Sequence, residues 1–236
     1  MALEEVTSYV EQLSERNPLD TVGIFGGESL LKPELVFAMG KMAKDYGVPN
    51  VMIAGTNCAW ATSDERTRQI LTSLMDADIG FGFSMDAFHQ EFVPLDRVER
   101  ACRIARELGM TDGPRPNAVF LESMEANNPY DQRTRELAAQ MESMGYQIVP
   151  CPPGRIMYSG RATNLSIHDS GSRSVPDETC RDVPWVCGSF ERPSGIQIDC
   201  DGWVMVEHGI SIGNTKKSSL PDILDDYDPE DTPIFS

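Results

Sequence analysis

GIFGGESLLKPELVFAMGKMAKDYG, residues 23–47, sets the reading of this chain. A short apolar run ends in Gly26, Gly27 and Glu28, and a helix pattern follows at once. Pro33 stands where a first-turn proline belongs, Leu35, Val36, Met39, Met42 and Ala43 carry the apolar face, and Gly47 supplies the stop. The unit is strand, polar tip, helix, and it recurs. NVMIAG (50–55) leads to Thr56, Asn57 and Cys58, and then to a helix that Ser63 caps and that carries Ile70, Leu71, Leu74 and Met75. IGFGFS (79–84) leads to Met85 and Asp86, and to a helix that opens at Pro94 and ends at Gly109. NAVFLES (117–123) precedes a helix over roughly 130–144, and YQIVP (146–150) follows it. Upstream, Leu3, Val6, Val10 and Leu13 fall at helical spacing.

Strands alternating with helices of this length predict a parallel sheet with right-handed crossovers. The even rhythm favours α/β architecture of the partial (β/α) TIM-like barrel kind, with about five parallel strands over residues 1–154. Binding groups in such folds gather at the carboxyl ends of the strands. TVGIF (21–25) is apolar on both faces and reads as an inner strand. Its second neighbour is expected before residue 1, or else from a partner chain, a second copy or the C-terminal region covering the edge. After residue 150 the rhythm stops. Residues 155–236 read as a smaller extension: a loop rich in Gly, Ser and Pro, a hairpin turning at Asp201-Gly202, a short helix capped by Ser218 or Ser219, and an acidic tail.

The chain has 236 residues, 40% of them hydrophobic, and a formal charge of −17 from 20 basic and 37 acidic residues. That balance opposes binding to nucleic acid or anionic membranes, which needs basic patches. The acidic, amphipathic start lacks the basic and apolar regions of a signal peptide, so a cytoplasmic location is expected. Cysteines lie at 58, 102, 151, 180, 187 and 200; in a cytoplasmic chain of this size they do not read as a disulfide framework. Cys102, beside Ala101 and Ala105, reads as core. Cys180, Cys187 and Cys200, with His208 or Glu207, could hold zinc or an iron–sulfur cluster, or could be small packing residues. The tips carry the other candidates: Gly26, Gly27, Glu28, Asn57, Ser84 and Asp86. Two glycines let a ligand approach the backbone, and a carboxylate beside them accepts charged hydrogen bonds from an ammonium group. His89 reads either as facing the same space or as a solvated histidine at the start of a helix.

GIFGGESLLKPELVFAMGKMAKDYG, IAGTNCAWA, GFSMDAFHQEF and RVERACRIARELGM, in this order, resemble the radical S-adenosylmethionine (SAM) superfamily. The segment GIQIDCDGWVMVEHGISIGNTKKSSLPDIL is similar to a C-terminal extension of the SPASM or twitch kind. The resemblance implies that Gly26, Gly27 and Glu28 bind the amino group of SAM, with Ser29 in place of the usual proline. It implies that Ser84 and Asp86 approach the ribose and that Asn57 lies on the rim. It also implies a [4Fe-4S] cluster held by CxxxCxxC, a motif this sequence does not contain, and the extension lacks one cysteine of an auxiliary cluster, with Glu207 at its place. The expectation is therefore a radical SAM-type enzyme, or the larger part of one, modifying a peptide or small metabolite. Its cluster would come from a partner chain or an upstream segment. The alternatives are a non-catalytic subunit that binds a partner enzyme or its substrate, and an unrelated barrel enzyme using Glu28, Asp86 and His89 for acid–base chemistry.

Overall fold

The computed structural model of the chain describes residues 1–110, 115–151, 193–207 and 210–229. Two compact units form, one within Leu19–Ser166 and one from Met1–Pro18 with the described part of Ile167–Ser236. The sequence reading divides the chain instead at 154/155. Among the described residues no helix is long and apolar enough to cross a membrane.

Helix α1 (Leu3–Arg16) belongs to the second unit. The first unit begins with β1 (Thr21–Ile24), a 3₁₀ turn at Ser29–Leu31, α2 (Pro33–Asp45), β2 (Asn50–Thr56) and α3 (Asp64–Asp76). It continues through β3 (Ile79–Phe83), α4 (Ala87–Gln90), α5 (Leu95–Glu107), β4 (Asn117–Val119), α6 (Pro129–Ser143) and β5 (Val149–Cys151). Strands β1, β2 and β3 pair in parallel in that order, and β4 pairs in parallel with β5. One isolated parallel bridge, Ser84 to Asn117, joins the two sheets.

The α/β class and the parallel pairing are thus as expected, but the described strands do not close into a barrel. NAVFLES gives a strand of three residues rather than seven, because of a contact with the helix that follows. The amides of Leu121, Glu122 and Ser123 donate to the buried carboxylate of Asp131, so they leave the ladder. Nor is β1 flanked on both sides: among the described residues it pairs with β2 alone. Thr21 and Gly23 on it are exposed, and Val22 and Ile24 are half-buried.

The core lies on one face of the three-stranded sheet. Val51 and Ile53 of β2 and Ile79 and Phe83 of β3 pack against Val36 and Ala43 of α2, Ile70, Leu71 and Leu74 of α3, and Val98, Ala101 and Ile104 of α5. Alternation sends Met52 the other way, where it is 43% exposed.

In the second unit β6 (Gln197–Ile198), β7 (Trp203–Glu207) and β8 (Ile210–Asn214) form an antiparallel sheet, followed by α7 (Leu220–Asp225). The hairpin turns where expected, with Asp199 Oδ1 accepting from the amides of Asp201 and Trp203. Ser219, of the two candidates, caps α7. The third strand, β8, was not foreseen. Val204, Leu220 and Ile223 bury themselves against Tyr9 and Leu13 of α1, which gives the C-terminal end of that helix's apolar stripe its partner. Tyr9 Oη shares a hydrogen bond with Thr215 Oγ1 at 2.9 Å.

Candidate functional site

The carboxyl ends of β1, β2 and β3 carry the tips named from the sequence, and Glu28 ties the first two together. Oε1 accepts from the Thr56 hydroxyl at 2.7 Å and from the Leu30 amide at 3.2 Å, while Oε2 accepts from the Asn57 amide at 2.7 Å. The Thr56 oxygen in turn accepts from the Trp60 indole at 2.7 Å and the Cys58 amide at 3.2 Å. Thr56 and Trp60 are each 1% exposed, so this network is sealed from water on its inner side. A carboxylate offers about four acceptor positions; the described residues fill three, leaving one on Oε2 among them.

Gly26 and Gly27 border this clasp on the exposed side. Gly26 has φ +155°, which a side chain resists, and a Cβ added at Gly27 would meet no atom within 4 Å. Over Gly27 the first tip therefore presents backbone, with no described atom within 4 Å of where its Cβ would stand.

The second tip is fixed from behind. Asn57 Oδ1 accepts from the Ala59 amide at 2.9 Å, and Cys58 takes φ 63°. Three arginines then hold three consecutive carbonyls: Arg97 takes Ala59 at 2.5 Å, Arg66 takes Trp60 at 3.2 Å and Arg100 takes Ala61 at 2.6 Å. The sequence reading missed this brace. Arg66 lies on α3, and Arg97 and Arg100 lie in RVERACR on α5, a run that reads locally as a solvated helix face.

At the third tip the Ser84 amide donates to the Thr56 carbonyl at 2.8 Å. Its hydroxyl lies 3.0 Å from where a Cβ on Gly55 would stand. Asp86 is 0% exposed. Oδ1 accepts from the amides of Phe88 and His89, both at 3.0 Å, and Oδ2 lies 2.7 Å from His89 Nδ1. Its carboxylate thus caps α4 and orients the imidazole, and His89, 39% exposed at its side chain, carries this end of the site to the surface. Burial opposes the charged form of His89, but Asp86, by hydrogen bond and charge, and the charge of Glu28 outweigh it and raise the pKa.

Asp131, also missed, does at the fourth tip what Glu28 does at the first. It is 0% exposed and accepts from the amides of Leu121, Glu122 and Ser123 and from Asn128 Nδ2.

The described thiols do not fit an iron–sulfur cluster. Cys58 and Cys102 are both buried in the core. Burial pushes the Cys58 thiol well above its ordinary value and Cys102 up to about 12, away from the thiolate that a cluster requires. Cys151 ends β5, and Cys200 is exposed at the hairpin turn of the other unit. Cys180, Cys187 and His208 lie outside the described residues; among the described ones no group of three metal-ligating side chains comes together.

The chain matches no protein-family model, and no curated protein is similar enough to it to count as a match.

Proposed function

We propose that the first unit is a partial (β/α) barrel of the radical SAM type whose strand tips bind S-adenosylmethionine or a related adenosyl ligand. The chain would then be the larger part of an enzyme that modifies a peptide or small metabolite. The observation that carries this reading is the convergence of Gly26–Glu28, Asn57 and Ser84 at the ends of three consecutive parallel strands, with open space among the described residues over Gly27. The acceptor position left on Glu28 suits an ammonium group, and the Ser84 hydroxyl suits a ribose. A [4Fe-4S] cluster would supply one electron to such a ligand. The described cysteines do not fit it, so the reading assigns it to a partner chain or another segment and derives no step through it. The same mismatch favours a second reading, a binding subunit that has kept the ligand end of the fold without its chemistry.

Gly27→Val tests the ligand site. Its new side chain enters empty space in the free protein, so stability should stay within about 0.5 kcal/mol of wild type, as for an ordinary surface change. The same side chain occupies the place of the ligand. Calorimetric titration with SAM should therefore show binding to wild type and at least a tenfold loss in the variant. Equal affinities would mean that the tips are turns and nothing more.

A further inference from the structure

At the tips the carboxylates are largely occupied by the protein's own amides, and the imidazole is not. His89 Nδ1 lies 2.7 Å from Oδ2 of the fully buried Asp86, which fixes the proton on that nitrogen. Nε2, on the opposite edge of the ring, has no hydrogen-bond partner among the described residues, and the side chain reaches solvent. The ring is thus held rigidly by one nitrogen and presents the other.

We propose that His89, positioned by Asp86, is a specificity-determining residue of the tip site: its Nε2–H donates to a carboxylate oxygen of the ligand, so the site selects an adenosyl ligand that keeps its free α-carboxylate. The proposal rests on the tip-site reading above and deepens it. Glu28 brings a carboxylate to the first tip and His89 an imidazole to the third, close enough for the charge of Glu28 to act on the ring; an α-amino acid head carries the two complementary groups. A chain of formal charge −17 repels an anionic group unless a cation stands where that group lands, and His89 supplies one in its imidazolium form, the form in which Nε2 carries a proton as well as Nδ1. Among the described residues, the groups that meet α4 do not compete for it. From α6 come Thr134, whose hydroxyl accepts from the Ala87 amide, and Tyr130, whose ring stacks on Phe88. The Asp131 carboxylate on the same helix is taken up by the amides of 121–123. Glu28 and Asp86 both favour the protonated ring, and Glu91, next along the chain, is exposed.

The experiment titrates the 236-residue chain and its His89→Gln and His89→Ala variants with SAM, decarboxylated SAM and 5′-methylthioadenosine, across a pH series. A charge-assisted hydrogen bond sets the expected loss of SAM affinity in both variants at about ten- to a hundredfold, with decarboxylated SAM and methylthioadenosine little changed. Wild-type affinity for SAM should also fall toward that of His89→Gln as pH rises through the raised His89 value, because the donor is lost with the proton. Equal weakening of all three ligands, as a merely structural role would give, overturns the proposal, and so does unchanged SAM binding in His89→Gln. If wild type binds none of the probes, the tip-site reading fails and this proposal fails with it.

Discussion

Glu28, Asp86 and Asp131 stand at three strand ends, and each turns its carboxylate toward the protein's own backbone amides. Charged acceptors suit this position because a strand that stops leaves its next amides without ladder partners. Asp131 is the most demanding of the three, being fully buried with four donors on it. Asp131→Asn keeps the size but turns an acceptor into an amide that faces other donors. We expect a loss of about 3 kcal/mol or more, from weakened charged bonds and buried unpaired amides, read as a lower urea midpoint with an unchanged slope. A loss under about 0.5 kcal/mol would mean that the loop finds other acceptors. The Gly26-Gly27-Glu28 tip was legible in the sequence because all its residues are contiguous. Asp131 was not: three residues into NPYD it reads as a first-turn acid, while the amides it holds lie eight to ten residues upstream. The use of Glu28 as a clasp was hidden for the same reason, since its partners Thr56 and Asn57 come from the next strand.

Among the elements, α2, β2, α3, β3, α5 and α6 were read within a few residues, because proline, serine caps and glycine stops mark their ends. The failures have separate causes. Strand β4 is cut short by Asp131, a tertiary contact that overrides local β propensity. Strand β8 has the composition ISIGN, too short and too glycine-rich to announce itself beyond a hairpin already complete. Helix α2 shows how closely the outer layer approaches the sheet. A Cβ at Gly40 would lie 2.5 Å from Ile79 Cδ1 and 3.0 Å from Cγ1. Ile79 can turn its flexible end from a methyl group but not from a branched side chain. Gly40→Ala should therefore melt near wild type, and Gly40→Val should be destabilised by about 1–3 kcal/mol, the range for an overfilled core. Indistinguishable melting of Gly40→Val and wild type would mean that α2 moves away from the sheet at little cost.

For the whole molecule the repeating strand–tip–helix unit disclosed the α/β class and the parallel pairing. It did not disclose how far the sheet extends, since periodicity within a strand says nothing about which strands pair. The three-stranded and two-stranded sheets meet at a single bridge, where a barrel reading expects a continuous ladder. Nor did the apolar stripe of α1 name its partner: Leu13, with Tyr9 beside it, packs on Val204, Leu220 and Ile223, some 200 positions later. The account as a whole stands on one claim, that the ends of β1, β2 and β3 form a single ligand site. Amide hydrogen exchange of the full chain, with and without SAM at saturating concentration, tests it most directly. Slowed exchange confined to residues 26–30, 56–60 and 84–90 is the predicted result. Unchanged exchange at all three tips, or slowing elsewhere in the chain without them, would contradict it.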